Sequence, residues 1–392
     1  MNSFTFDVSA TEKVYLGERA ETAVALEAER LGAQRVFLLV SHSLKENTDE
    51  IERVQQALGT RYVASYSGMP PHVPRAAVLD AAAIAREANA DLVVTVGGGS
   101  VTDAGKIVAV CLEHNIKSHE DFDRFRVYVD DDGQVVKPVF AAPSIRVVIC
   151  PTTLSGGEFN PLSGATDEKV KLKQGYEQRL MAPVSVVLDP ALTVHTPEWL
   201  FLSTGVRAVD HALESLGSLQ SNYHADGLAA SALELLSDGL MRVKTDPGDI
   251  DARLKCQIGV WQSMLPLIGG VQLGLSHAIG HVLGGSFDVP HGYCSCVMAP
   301  SVLAFNESVN GEKQARISRC FGRPSERASS VVDEFIRALE MPRTLEAVGV
   351  EANDHAMIAE NTMHDFWART NPRTIEKAED VLPVLAMASE QA

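Results

Sequence analysis

Three histidines within fifteen residues, framed by glycines, are the group in this chain hardest to explain by packing alone. They stand in Gly274-Leu275-Ser276-His277-Ala278-Ile279-Gly280-His281-Val282-Leu283-Gly284-Gly285-Ser286-Phe287-Asp288-Val289-Pro290-His291-Gly292. His277 and His281 are four apart, so on a helix they share a face. Gly284-Gly285 and then Pro290 are expected to end that helix and bring His291 back toward the others. Upstream, Gly205-Val206-Arg207-Ala208-Val209-Asp210-His211-Ala212-Leu213-Glu214 reads as a helix on which Arg207 and His211 are again four apart. Asp210 is turned roughly 100° from His211 by the helical repeat and is a poor co-ligand for whatever His211 holds. A guanidinium among imidazoles is a donor-rich, cationic group, suited to stabilising developing negative charge or to gripping a carboxylate.

A second candidate is Val96-Gly97-Gly98-Gly99-Ser100, which follows an apolar strand and precedes the helix-like Val101 to Val110. Glycines at a strand end admit a ligand close to the backbone, and the following helix N-terminus offers free N–H groups to an anion such as a pyrophosphate. The spacing is not that of the usual dinucleotide fingerprint, and a tight turn is the plainer reading. Asp103, with Thr102 and Lys106 in the first turns, is either part of this site or a favourable N-terminal charge. Pro151-Thr152-Thr153-Leu154-Ser155-Gly156-Gly157-Glu158 also follows a strand. Thr152 and Thr153 suit ribose and nicotinamide contacts, while Ser155 and Glu158 have the spacing of a capping box. After Val40 comes Ser41-His42-Ser43. No carboxylate stands there to repel a 2′-phosphate, so NADPH is permitted beside NADH.

These loops need a scaffold, and the first half of the chain has one. Runs apolar on both faces (Val36 to Val40, Asp91 to Val96, Arg146 to Cys150, Val184 to Leu188) alternate with amphipathic stretches such as Ala20 to Leu31 and Ala76 to Ala88. That is the pattern of a parallel sheet covered on both sides. Residues 115–143, carrying Asp130-Asp131-Asp132-Gly133, read as a surface excursion with a turn and a hairpin. Beyond about residue 195 helical periodicity dominates, as in Leu228 to Val243, Leu254 to Leu267, Ser329 to Leu339 and the segment from Ile375. The expected architecture is an α/β dinucleotide-binding domain, 1–195, and an all-helical catalytic domain, 196–392, with the site in the cleft between them.

Bulk properties narrow the partners. The 392 residues are 45% hydrophobic and 22% charged, with a net charge of −17. An acidic chain of this kind disfavours a nucleic-acid partner but not a small anion in one basic pocket. No run of about 20 apolar residues is present, so no membrane span is expected. The start lacks the charged and apolar regions of a signal peptide. The six cysteines have no framework spacing and read as reduced thiols of a cytoplasmic protein. Cys294-Ser295-Cys296 reads as buried packing rather than a metal or redox site.

Taken together, the glycine loop, the Pro-Thr-Thr loop, Val187-Leu188-Asp189-Pro190, GVRAVDHALES, HAIGHVLGGSFDVPHG and Asn371-Pro372-Arg373 resemble, in order and spacing, the iron-containing alcohol dehydrogenase family over nearly the whole chain. The resemblance implies a nicotinamide-dependent oxidoreductase, usually a homodimer, with an N-terminal dinucleotide-binding domain and a helical C-terminal domain. It implies metal ligands at His211, His277 and His291, with His281 as a proton relay. The remaining ligand, an Asp in metal-dependent members, falls on Arg207, which cannot ligate a cation and repels it. Iron or zinc is therefore doubtful. The chain is most similar to the metal-independent branch, the maleylacetate reductases. Arg207, His211, His277, His281 and His291 are then the catalytic candidates. Gly97, Gly98, Gly99, Ser100, Asp103, Thr152, Thr153, Ser41 and His42 are the cofactor candidates, the cofactor being NAD(P)H. The expected reaction is hydride transfer to a small oxo-acid or unsaturated dicarboxylate. The alternatives are a metal-dependent alcohol or aldehyde dehydrogenase, a lyase sharing the fold, and a catalytically silent nucleotide-binding protein.

Overall fold

The computed structural model describes residues 4–130 and 135–390. It divides into two units, Ser9–Thr196, and Pro197–Ala392 together with the residues up to Val8. The expected boundary had put those first residues with the α/β unit. Phe6 explains the difference. Its ring meets His224 edge-on at 4.7 Å and lies so close to Gly269 that a Cβ there would come within 2.2 Å of it.

The α/β unit is built on a six-stranded parallel sheet. Its order is Lys13–Leu16, Ser185–Leu188, Arg146–Pro151, Leu92–Gly97, Val36–Val40, Tyr62–Tyr66. Val36–Val40 and Leu92–Gly97 are buried at every position, because an apolar core packs on each face of the sheet. Continuous apolar runs are what such burial requires. After Val40 the chain turns to the edge strand Tyr62–Tyr66, whereas after Gly97 it proceeds the opposite way to Arg146–Pro151. The carboxyl ends of these two neighbouring strands are thus the topological switch point, where open α/β sheets bind ligands.

In the 115–143 excursion, Tyr128–Val129 pairs antiparallel with Val135–Val136. Of the turn expected at Asp130-Asp131-Asp132-Gly133, all but Asp130 lies outside the described residues.

The second unit is helical: Glu198–Gly217, Tyr223–Thr245, Ile250–Ile268, Leu275–Phe287, His291–Cys320 (two helices joined at a kink at Asn310), Ala328–Ala338, His355–Thr362 and Leu382–Glu390. Gly284-Gly285 do not end their helix, which runs on to Phe287 and stops where Asp288 turns left-handed at φ 55°. The glycine at 284 serves packing instead, since a Cβ there would stand 3.0 Å from the His291 ring. The segment from Ile375 forms a short turn at Ala378–Asp380 before its helix begins at Leu382. Cys294 and Cys296 are buried on His291–Cys320, and all six cysteines are free. Among the described residues no helix is long and apolar enough to cross a membrane.

Candidate active site

Three loops meet at the switch point of the α/β unit. The Ser41 N–H donates to Val96 O at 2.8 Å and the Thr152 N–H to Gly97 O at 3.0 Å, so the loops after three adjacent strands are tied to one another. Gly97 closes its strand, Gly98 caps the helix Gly99–Glu113, and Gly98 O accepts from the N–H groups of Val101 and Thr102. The first-turn N–H groups of Gly99 and Ser100 are left unused by the helix. Thr152 and Thr153 are buried beside this turn, and a Cβ on Gly98 would lie 3.1 Å from Thr153 Cγ2. The sequence candidates Ser41, His42, Gly97, Gly98, Gly99, Ser100, Thr152 and Thr153 are thus gathered at one end of the sheet. Asp103 is engaged otherwise, its carboxylate 3.4 Å from Lys173 Nζ and 3.8 Å from Lys106 Nζ. No capping box forms at Ser155 and Glu158: Gly156 is the cap, in the left-handed region at φ 77°, and the Ser155 hydroxyl meets that of Thr153 at 2.9 Å. Glu158 is instead buried, and burial pushes it up to about 7. Lys106, also buried, spends its ammonium on the carbonyls of Gly157, Asn160 and Leu162, each at 2.8–2.9 Å.

In the helical unit the structure brings Arg207, His211 and His277 together. The rings of His211 and His277 stack with centroids 4.7 Å apart. The Arg207 guanidinium lies against Gly280, where a Cβ would stand 3.3 Å from Nη1. Arg207 Nη1 donates to Ser295 Oγ (3.1 Å), and the Ser295 hydroxyl donates to Asp210 Oδ2 (2.7 Å). The Ser276 hydroxyl donates to the same oxygen at 2.8 Å. His277 Nδ1 sits 2.8 Å from Glu214 Oε2. Glu214 also takes the N–H groups of Gly274 and Ser276, at 2.9 and 2.8 Å, so a carboxyl from another helix satisfies the first turn of Leu275–Phe287. Asn371 Oδ1 receives the next N–H, that of Leu275, at 3.3 Å.

Electrostatics follow from this packing. Burial, reinforced by the Arg207 charge, pushes His211 down to about 3. Burial and then Arg207 drive His277 well below the usual imidazole range, so both rings are neutral at physiological pH. Burial raises Asp210 to about 6, against the pull of Arg207 and the two serine hydroxyls. Burial and the neighbouring Asp210 charge lift Glu214 to about 8. Asp210 Oδ1, His211 Nδ1 and His277 Nε2 are buried with no hydrogen-bond partner among the described residues. His281 and His291 are exposed at the rim.

Sequence reasoning missed Asp210, Glu214, Ser276 and Ser295. A signal for the first two was present, because positions 207, 210, 211 and 214 fall at i, i+3, i+4 and i+7 and form one helical stripe. Asp210, Glu214 and His277 also form the group whose ligand atoms lie within 4.8 Å of one another. A consequence for pH follows from Glu214. An unfolded carboxyl titrates near 4.5 and the folded one near 8. Between these values the unfolded state releases a proton that the folded state keeps, so this group's stabilisation is lost as pH rises. Glu214→Gln removes the effect. In denaturant titrations the variant should gain on the wild type steadily from pH 5 to pH 8, and a pH-independent offset would contradict the assignment.

The comparisons with known proteins fit this geometry. Residues 11–190 match the family model for iron-containing alcohol dehydrogenase, and residues 201–389 match that for the Fe-containing alcohol dehydrogenase family, C-terminal. The chain belongs to the iron-containing alcohol dehydrogenase family. It is an oxidoreductase that works with a nicotinamide cofactor. It is 31% identical to the dehydrogenase FUM7 of Gibberella moniliformis, over 94% of this chain and 93% of that one. It is 30% identical to maleylacetate reductase 2 of Cupriavidus pinatubonensis, over 96% and 94%. The crystal structure of maleylacetate reductase from Agrobacterium tumefaciens superimposes with a TM-score of 0.83 at 27% identity, covering 100% of this chain and 99% of the other.

Proposed function

We propose that the protein is a cytoplasmic, homodimeric NAD(P)H-dependent reductase of small oxo-acids or unsaturated dicarboxylates, of the maleylacetate kind, working without a metal. One observation carries the reading. Arg207 is a half-buried guanidinium that makes a single hydrogen bond, to Ser295, and no ion pair among the described residues. Its remaining donors stand beside neutral imidazoles, which is a site prepared for an anion. The maleylacetate reductases among its relatives support the same substrate class.

A divalent cation does not suit this donor set. Both oxygens of Glu214 and Oδ2 of Asp210 already accept from N–H or O–H groups, and the Arg207 charge opposes a second cation beside the atoms that remain, Asp210 Oδ1, His211 Nδ1 and His277 Nε2. The cofactor loops suit a dinucleotide: the free N–H groups of Gly99 and Ser100 would take its pyrophosphate, and Ser41-His42 would tolerate a 2′-phosphate.

A nicotinamide cofactor held by the Gly97-Gly98-Gly99-Ser100 and Thr152-Thr153 loops would supply the hydride for reducing a C=O or C=C bond, itself being oxidised to NAD(P)+, and the protein would supply one proton. Arg207 holds the substrate carboxylate or the oxygen that gathers charge. His211 and His277, kept neutral, line the site with polar nitrogens without adding a competing cation. His281, at the exposed rim, is the proton donor.

The test is oxidation of NADPH and NADH against a panel of oxo-acids, maleylacetate and neutral aldehydes, with and without chelator. Turnover of the anionic substrates, indifferent to chelator, is expected. Stoichiometric iron or zinc with chelator-sensitive turnover of alcohols would instead overturn the metal-free reading.

A further inference from the structure

We propose that Asp365 is a positioning residue that sets the tautomer and aim of His281, an inference that rests on reading His281 as the proton donor. Asp365 opens the short helical turn Phe366–Thr370. Its Oδ1 accepts from the Trp367 N–H at 2.9 Å, which fixes the carboxylate plane. Its Oδ2 lies 2.7 Å from His281 Nδ1. The Trp367 ring tilts against the His281 ring at 5.0 Å and stands edge-on to His277 at 5.6 Å. One side chain therefore orients His281 by a hydrogen bond while the residue two positions on packs against its face and against the buried histidine one helical turn earlier.

An ordinary surface ion pair contributes little and leaves both partners free to move. This pair differs, because the carboxylate is anchored by backbone and the imidazole is held against an indole. A carboxylate can only accept, so Nδ1 carries the proton and Nε2 is the nitrogen left for proton exchange. Asp365 is 84 residues from His281 in the chain, and nothing local to either residue announces the pairing.

Asp365→Asn is the discriminating substitution. Asparagine keeps an oxygen to cap Trp367 N–H, so the turn survives, but it offers His281 an N–H and so favours the opposite tautomer. We expect kcat to fall about 10- to 100-fold, as for other residues that orient a proton-transferring imidazole, with KM and NAD(P)H affinity within about twofold. Combining it with His281→Gln should cost no more than His281→Gln alone. The tautomer is also read directly, by 15N NMR of histidine-labelled protein with the His281 signal assigned by its loss in His281→Gln. A proton on Nδ1 in the wild type and on Nε2 in Asp365→Asn is expected. The same tautomer in both proteins overturns the proposal, whether or not any substrate is turned over. Unchanged kcat in Asp365→Asn, or losses that multiply in the double variant, overturn it as well. Absence of NAD(P)H turnover in the wild type, with the tautomer switch intact, refutes the reductase reading instead.

Discussion

Arg207→Ala should lower kcat/KM for an anionic substrate by about a thousandfold while leaving NAD(P)H affinity and the fold unchanged. Removing a preorganised donor that faces developing charge costs about 10²–10³ in rate, and the lost grip on a carboxylate adds to KM. The fold should tolerate the change, because Arg207 spends one bond on Ser295 and is only half-buried. Arg207→Lys is not a conservative alternative: an ammonium cannot reach Ser295 and a carboxylate in the same fork geometry. Steady-state kinetics on an oxo-acid and on a neutral aldehyde decide the matter. A loss confined to the anionic substrate supports carboxylate anchoring, and an equal loss on both supports charge stabilisation at the reacting oxygen. Activity within about threefold of wild type on both would sink the role given to Arg207. Arg207→Asp, which restores the ligand type that the family resemblance implies, asks the metal question directly. If that variant binds iron or zinc tightly and keeps full activity, the metal-free reading is wrong.

The second large effect is expected at Gly98. Its backbone, at φ −79° and ψ −172°, is extended and open to any residue, so a substitution there is not strained by conformation. A Cβ would lie 3.1 Å from Thr153 Cγ2, tight but relievable by a small shift of that side chain. A larger side chain would crowd Thr152 and Thr153 and reduce the space beside the free N–H groups of Gly99 and Ser100, where a phosphate would enter. Gly98→Val should therefore fold and weaken NADPH binding about 100-fold, roughly 2.7 kcal/mol. Fluorescence titration of NADPH, beside a thermal melt, checks both halves of this expectation. Unaltered affinity would move the pyrophosphate away from this loop.

Much of the scaffold is legible from residue order because it depends on local periodicity. Val36 to Val40 and Leu92 to Val96 read as buried parallel strands since both of their faces meet apolar cores. The helix after the glycine loop, the helix carrying Arg207 and His211, and the change to helical periodicity near residue 195 follow from the same arithmetic. Gly284-Gly285 were misread because glycine has two uses. Here it makes room for His291, and Asp288 supplies the turn. Asp210 was passed over because its angle was judged against His211 alone rather than against the stripe running from Arg207 to Glu214.

By itself the sequence determined that Arg207 and the histidines would project from helices in pairs, and that glycine and threonine loops would follow strands. Spacing along one element sets which side chains share its face. Only the tertiary structure decided what those faces meet. Ser276 and Ser295 reach Asp210 from two different helices, Glu214 caps a helix other than its own, and Asp365 finds His281 across 84 residues. The charge states follow from those meetings, because desolvation and hydrogen-bond partners come from neighbours distant in the chain. Arg207 could be read as a broken metal ligand from its position, but its single hydrogen bond to Ser295, near imidazoles that burial keeps neutral, is a property of the packed helices.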